Sequence, residues 1–385
     1  MYDYISVYKA KETNFNHNGQ RILCPTECTI SEELNGAYEL SLTHPIDDLG
    51  NWKSLVEMNI IKAQGQLFRI YEKTTTMDNS GRYERKVSAR HIFYDMLAQI
   101  LRTNFSPFVK TGTQAIEWIL ANTEVPITNF TGTSDITSMQ TTDFVDVSPI
   151  GALLGNENSF VNVWGGELYR DNFEFTINKR RGSDNAFRIE YGVEMLEIEE
   201  TVDYSEFCNT LICKGKTEGV ETVVYSGFYP DGINHFGIQD FDTDDYTTLT
   251  AMGKNWLNQN GFPMINYKVK FANLTKYDLY KDFLALQECH LGDTGTIWNE
   301  EIGIETQQQI TKVTIDGITG ETLEIELGVP KNTLTRTIKN IVSKYNSTQQ
   351  NINNNVTEEL HTWDGLNKFN LTWDDMASVK WSELE

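Results

Sequence analysis

TECTISEE, residues 26–33, and GAYELSLTHP, residues 36–45, alternate apolar and polar side chains and are separated only by Leu34 and Asn35. A period of two is the pattern of half-buried antiparallel strands. Between them, Asn35-Gly36 supplies the residue types that accept the positive φ of a tight hairpin. Outward from this pair, ISVYKA (5–10), NIIKAQGQLFRIYEK (59–73) and ERKVSAR (84–90) repeat the same texture, punctuated by HNGQ (17–20) and DNSGR (78–82). The first ninety residues therefore predict a small antiparallel barrel or sandwich.

The texture then changes. HIFYDMLAQILRT (91–103) places Ile92, Met96 and Ile100 at steps of four, and TQAIEWILANTE (113–124) repeats a helical spacing. After a Thr-rich stretch from Thr128 to Thr142, strands return in SFVNVWGGELYRDNFEFTINKR (159–180), whose NVWGGELY and RDNFEFTI segments flank a hairpin. A third block follows LEIEETVDYSEFCNTLICKGK (196–216). It carries two expected amphipathic helices, TTLTAMGKNWLNQNG (247–261) and KYDLYKDFLALQEC (276–289), and closes in QQITKVTIDGITGETLEIELG (308–328) around a Gly-containing turn.

Past Pro330, Ile338, Tyr345 and Ile352 recur at sevens, and Leu334, Ile341, Thr348 and Asn355 form a second column. The pattern fits a short coiled coil for oligomerisation or an amphipathic surface helix. A repeat follows: Trp363-Asp364 with Leu366, Trp373-Asp374 with Met376, and Trp381-Ser382 with Leu384. Each unit sets an aromatic and an aliphatic residue one helical turn apart. That makes an apolar knob for docking a partner or for folding back on the same chain.

With 385 residues and 44.1 kDa, the chain exceeds the size at which a single core stops growing. The expected class is α+β, multidomain and β-rich: 1–100 a β-barrel domain completed by 188–215, 101–187 an α/β insertion, 216–330 a second β-barrel or α+β domain, 331–361 helical, and 362–385 the Trp-Asp repeat. Thirty-two basic residues against 55 acidic ones leave a formal charge of -23. That balance opposes wrapping of nucleic acid or adhesion to anionic lipid, and suits a wall past which DNA slides. The start, MYDYISVYKAKETN, shows neither a signal peptide nor a lipid anchor, and no stretch approaches the roughly 20 apolar residues of a membrane helix. Five cysteines in so long a chain suggest synthesis in a reducing cytoplasm.

Motifs for chemistry are scarce. Gly215-Lys216-Thr217 lacks the glycine five positions earlier that a phosphate loop needs, since Thr210 stands there; it reads as a strand end. Neither a dinucleotide fingerprint nor a nucleophile elbow occurs. Cys24 and Cys28 on an extended strand would stand about 13 Å apart, too far to share a zinc ion. Those two, Cys208, Cys213 and Cys289 read as structural thiols. His17, His44, His91, His235, His290 and His361 form no His-Glu-x-x-His pattern. The Asp240, Asp242, Asp244, Asp245 run fails the calcium loop at Asp245, where Gly is needed, and at Ala251, where Glu is needed; it reads as a helix cap. No catalytic residue, metal ligand or cofactor is expected.

Taken in order, Asn35-Gly36-Ala37-Tyr38-Glu39-Leu40, Gly65-Gln66-Leu67-Phe68-Arg69-Ile70-Tyr71, Ala89-Arg90-His91-Ile92-Phe93-Tyr94-Asp95, Gly165-Gly166-Glu167-Leu168, Ile189-Glu190-Tyr191-Gly192 and Gly292-Asp293-Thr294, before the closing hairpin ending Leu327-Gly328, resemble the tail-associated proteins of long-tailed phages and prophages, called prophage endopeptidase tail or minor structural proteins. The likeness runs over roughly residues 1–330. It implies a fold similar to the baseplate hub, with two small β-barrels per subunit assembling as a homotrimer into a ring and α/β domains decorating it. The implied partners are the distal tail protein or tail tube, the tape-measure protein, passing DNA without specific binding, and a separate tip or receptor-binding protein. The implied place is the virion tail tip. Long members carry a cell-wall-degrading domain; the residues after His361 are too few to bury a core of their own, so a structural rather than enzymatic role is expected. A tail-associated peptidoglycan hydrolase and a host-receptor-binding protein are the alternatives.

Overall fold

A computed structural model describes residues 4–77, 81–102, 109–144, 146–155, 158–192, 195–205, 207–241, 243–271 and 289–328. They are β-rich with few helices. The first block contributes β1 (Ser6–Tyr8), β2 (Arg21–Ile22), β3 (Glu27–Glu33), β4 (Tyr38–Pro45), β5 (Ile60–Ala63), β6 (Gln66–Met77) and β7 (Tyr83–His91), all paired antiparallel. Each strand read from alternation is present. The β3–β4 hairpin turns at Asn35, whose φ of 54° lies in the left-handed region that Asn tolerates.

Residues 92–98 depart from the sequence reading. The spacing of Ile92, Met96 and Ile100 predicts an α-helix, whereas Ile92–Ala98 form a 3-10 helix and Gln99 is already extended. Ile92, Phe93, Tyr94, Met96 and Leu97 are all buried, so the segment is apolar on several sides and its periodicity carried little information. The insertion that follows holds α1 (Gly112–Ala121), β8 (Thr131–Thr133), α2 (Pro149–Leu154), α3 (Phe160–Val163), β9 (Glu167–Asp171) and β10 (Glu174–Asn178). Its sheet runs β8-β10-β9, and α1 buries Ala115, Ile116, Ile119 and Leu120.

The third block adds β11 (Phe187–Glu190), β12 (Met195–Asp203), β13 (Thr210–Lys214), β14 (Glu221–Tyr225), β15 (Phe236–Asp240), α4 (Tyr246–Asn260), β16 (Met264–Phe271), β17 (Thr294–Asn299), β18 (Ile304–Asp316) and β19 (Thr322–Gly328). The amphipathic segment at 276–289 lies, except for Cys289, outside the described residues. Strands β11, β12 and β16–β19 join the first block in a 13-stranded sheet ordered β12-β16-β19-β18-β3-β4-β7-β6-β5-β1-β2, with β17 linking β18 to β11. Strand β18 is the seam. Ile304–Gln309 pair with β17, while Lys312–Asp316 pair with Thr29–Glu33 of β3. Among the described residues no pairing closes either group of strands into a barrel. One core gathers Phe187, Ile297, Ile310, Ile325 and Leu327; another gathers Tyr8, Ile60, Leu67 and Ile92.

A small module is inserted between β12 and β16, whose ends Asp203 and Met264 are cross-strand neighbours. Its sheet runs β14-β13-β15, and Leu211, Cys213 and Val224 pack with Leu249 and Leu257 of α4 in a core of its own. Asp245 caps α4 by accepting from Thr248 N–H (2.7 Å), and Asp244 accepts from Thr217 N–H (2.9 Å) and Oγ1 (2.7 Å). Asp245 therefore caps the helix, as the sequence suggests, and Asp244 ties down the loop after β13. Because that core is small and separate, Leu249→Ala, at a cost of about 2–5 kcal/mol, is expected to raise amide hydrogen exchange within residues 207–261 while the 13-stranded sheet keeps its protection. Exchange measured by mass spectrometry checks this.

Candidate functional site

Four of the five thiols are poor nucleophiles, and the fifth, Cys24, is exposed. Burial pushes the Cys28 thiol up to about 12, assisted by the Asp316 charge, and the Cys289 thiol up to about 12, assisted by Asp293. Burial raises Cys208 and Cys213 as well. Among the described residues, no group of three or more His, Cys, Asp or Glu side chains is arranged to hold a metal ion. His91 is buried, and burial, then the Arg170 charge, holds its imidazole well below the ordinary range. Its Nδ1 accepts from Phe93 N–H, capping the 3-10 helix, which leaves Nε2–H to donate to Gln66 Oε1 (3.0 Å). It is a structural histidine.

What the fold does assemble is a buried polar junction between the first block, the insertion and the third block. Arg170 of β9 has a fully buried side chain. Its Nη1 donates to Gly36 O (2.8 Å) and Tyr94 Oη (2.8 Å), and its Nη2 to Glu32 Oε1 (3.2 Å) and Glu33 O (3.1 Å). Arg181 adds a fork onto the same carboxylate, Nη1 to Oε1 at 2.8 Å and Nη2 to Oε2 at 3.0 Å. Burial opposes ionisation of Glu32, but the two guanidinium groups outweigh it and hold the carboxyl below its ordinary value. Burial also raises the Tyr94 phenol to about 12, so it serves as a neutral hydrogen-bonding group, and its hydroxyl donates to Gly36 O.

The motif segments meet here. Asn35 Nδ2 donates to Gly166 O (2.9 Å), and Leu168 N–H donates back to Asn35 Oδ1. Gly166 lies at φ 107°, where a Cβ would stand 2.9 Å from Asn178 O, so only glycine fits. Gln66 bonds Asp171 (3.0 Å) and accepts from Asn172 N–H (3.1 Å). Toward the third block, Glu167 accepts from Arg181 N–H (2.7 Å) and Gln309 Nε2 (2.9 Å), and Asp293 accepts from Ser183 N–H (2.7 Å). Gly182 touches Gly292 so closely that a Cβ would stand 2.1 Å from its carbonyl carbon. The sequence singled out these stretches individually; nothing in it announced that they converge.

A second candidate surface is the outer face of the module. Thr210, Ile212 and Lys214 of β13 stand between Tyr225, Val223 and Glu221 of β14 and Phe236, Ile238 and Asp240 of β15. Two of the three rows are apolar or aromatic, and Tyr225, Phe236 and Ile238 are 58%, 62% and 61% exposed. α4 covers only the opposite face. The sequence-derived oligomerisation residues Leu334, Ile338, Ile341, Tyr345 and Ile352 and docking residues Trp363, Asp364, Leu366, Trp373, Asp374, Met376, Trp381 and Leu384 lie outside the described residues.

Two family descriptions match the chain: prophage endopeptidase tail N-terminal domain over residues 7–91 and prophage endopeptidase tail over residues 183–341, together more than half of its length. No curated protein matches it by sequence. Among solved structures it is similar to prophage tail protein gp18 from Listeria monocytogenes EGD-e, at 16% identity and a TM-score of 0.61 over 89% of this chain and 99% of that one. It is also similar to the tail protein from Neisseria meningitidis MC58, at 10% identity and TM-score 0.57 over 86% and 98% of the two chains. The 43 kDa tail protein of prophage MuSo2 from Shewanella oneidensis gives 13% identity and TM-score 0.57 over the same shares, 86% and 98%. At these identities the likeness is one of fold.

Removing Arg170 takes one of two guanidinium groups from Glu32 and a buried donor from Gly36 O, Tyr94 Oη and Glu33 O, so Arg170→Ala is expected to destabilise the fold by on the order of 3 kcal/mol, read as a shift of the urea midpoint. The pH dependence follows from the lowered Glu32 value: its stabilisation is complete above the ordinary carboxyl value of 4.5 and is lost as pH falls through the lower folded value. Glu32→Gln should therefore flatten the acid limb of stability below the ordinary carboxyl value of 4.5; an unchanged limb would show that other carboxylates set it.

Proposed function

The chain is a phage tail-associated protein of the prophage endopeptidase tail type, and from that premise we propose that it is a structural hub of the tail tip: a homotrimeric ring joining the tail tube to the distal tip and letting DNA pass during ejection. The observation that carries the reading is the seam. The two family-matched stretches, 7–91 and 183–341, are hydrogen-bonded to each other through β3 and β18, so they make one continuous framework rather than two tethered domains. A continuous frame with an inserted, helix-backed module suits a ring segment that transmits load. In this reading the two groups of strands are the barrel-like halves of each subunit. The exposed apolar face of the module is a surface that assembly covers, since isolated soluble chains seldom leave such a face open.

The excess of acidic over basic residues, -23 formally, favours passage of DNA without adhesion. The distal tail protein, tape-measure protein and a separate tip or receptor-binding protein are the proposed neighbours, and residues 331–385 the proposed site of oligomerisation and tip docking. The same aromatic face favours one second reading, attachment to a host glycan, because planar rings on a sheet can stack on sugars. Retention of the protein on purified host cell walls, lost in Tyr225→Ala/Phe236→Ala, would favour it.

Light scattering and negative-stain electron microscopy test the ring. The expected result, alone or with the tail-tube protein added, is a particle of three times the 44.1 kDa chain with a central opening. A monomer under both conditions refutes it. In a gel-shift assay at low salt, duplex DNA is expected to run unretarded, whereas retention would contradict a non-adhesive wall.

A further inference from the structure

Strand β12 ends the 13-stranded sheet. Apart from a single bridge between Met195 and Tyr191, its only partner among the described residues is β16, so within those residues one of its edges has main-chain N–H and C=O groups without a strand partner. The edge is long, Met195–Asp203, and its residues from Glu199 to Val202 are exposed on both faces. Its side chains complete a pattern that runs across the sheet. Glu199 of β12 lies opposite Lys268 of β16, Lys268 opposite Glu326 of β19, Glu326 opposite Lys312 of β18, and Lys312 opposite Glu33 of β3. The signs alternate strand by strand. Ion pairs bind the ladder together: Lys312 with Glu326 (2.9 Å) and Glu33 (3.9 Å), Lys268 with Glu324 (3.0 Å), and Lys270 with Glu197 (2.6 Å).

This ladder stops on the acidic strand, at the open edge. We propose that β12 is a docking strand for an extended segment of a partner protein bearing Lys or Arg at alternate positions with apolar residues between them. The partner's main chain would add a strand to the sheet. Its basic side chains would continue the alternation opposite Glu197 and Glu199, and its apolar ones would cover Ile198 and Val202 on the other face. A second copy of β12 is the poorer partner, because Met195–Asp203 bring four carboxylates and no basic side chain to the edge. The acidic edge thus repels its own kind and selects a basic strand. The proposal stands whether or not the protein forms a ring.

The test uses the full chain and a fluorescein-labelled peptide of about eight alternating lysine and valine residues, a strand's usual length, followed by fluorescence anisotropy. Saturable binding is expected for it and not for the glutamate-valine counterpart. An added strand shows only alternate amides to the edge, so two further peptides carry N-methyl groups on one or the other alternate set of backbone nitrogens. At least one of them is expected to lose binding. Glu199→Lys, checked by circular dichroism for an intact fold, should bind the lysine peptide about fivefold or more weakly. The proposal is overturned if the lysine peptide does not saturate, if both methylated peptides bind like the parent, which would leave only diffuse charge attraction, or if folded Glu199→Lys binds undiminished.

Discussion

The buried carboxylate of Glu32, held between Arg170 and Arg181, is the constraint on which the described structure depends. A carboxylate in that position is unfavourable alone and is stabilised by one bond from Arg170 and the fork from Arg181. Arg170 comes from the insertion, Arg181 from the segment leading out of it, and Glu32 from the strand that pairs with the third block. Two stretches of chain far apart in sequence, one at Glu32 and one running from Arg170 to Arg181, must therefore arrive together. Apolar packing alone would allow the hairpin of β9 and β10 to slide over β3 and β4, whereas the directed bonds to Gly36, Tyr94 and Glu33 admit one registration.

How much of this the sequence disclosed follows from range. Strands β3 and β4, the turn at Asn35-Gly36, the strand end at Gly215-Lys216-Thr217 and the Asp245 cap depend on neighbours a few residues away, and all were readable. The junction was not. Glu32 and Arg181 are 149 residues apart and Asn35 and Gly166 131 apart, so a single sequence shows their residue types but not their meeting. Glu32 itself sits in an acidic-looking run, Ser31-Glu32-Glu33, that reads as a solvated strand face. The 3-10 turn at 92–98 failed for a different reason: it is buried on several sides, and periodicity distinguishes helix types only when one face meets water. The seam between β3 and β18 was also hidden, because alternation identifies strands without identifying partners.

The molecule thus divides its polar groups by role. At the junction, charges are buried, few and bound to several partners each, which gives one rigid arrangement. On the sheet face they are half-exposed and alternate in sign across strands, which gives pairing preference at small energetic gain. The module inserted between β12 and β16 follows neither pattern: two of its three outer rows are mainly apolar or aromatic, and the small core behind them is its own.

That division changes what the formal charge of -23 means. Charge counted from composition treats each carboxylate as available to the surroundings, yet Glu32 is enclosed by two arginines, and Glu33, Glu197, Glu324 and Glu326 are each held by a lysine. Their fields are largely cancelled within a few ångströms and reach little beyond a Debye length. Any repulsion that keeps DNA moving must come from carboxylates outside these pairs, and its strength depends on where those lie rather than on the total. Composition therefore bears on the proposed conduit only through position. The same reasoning singles out Glu199 on the β12 edge, which lies outside these pairs and stands beside the main-chain groups of the proposed docking strand.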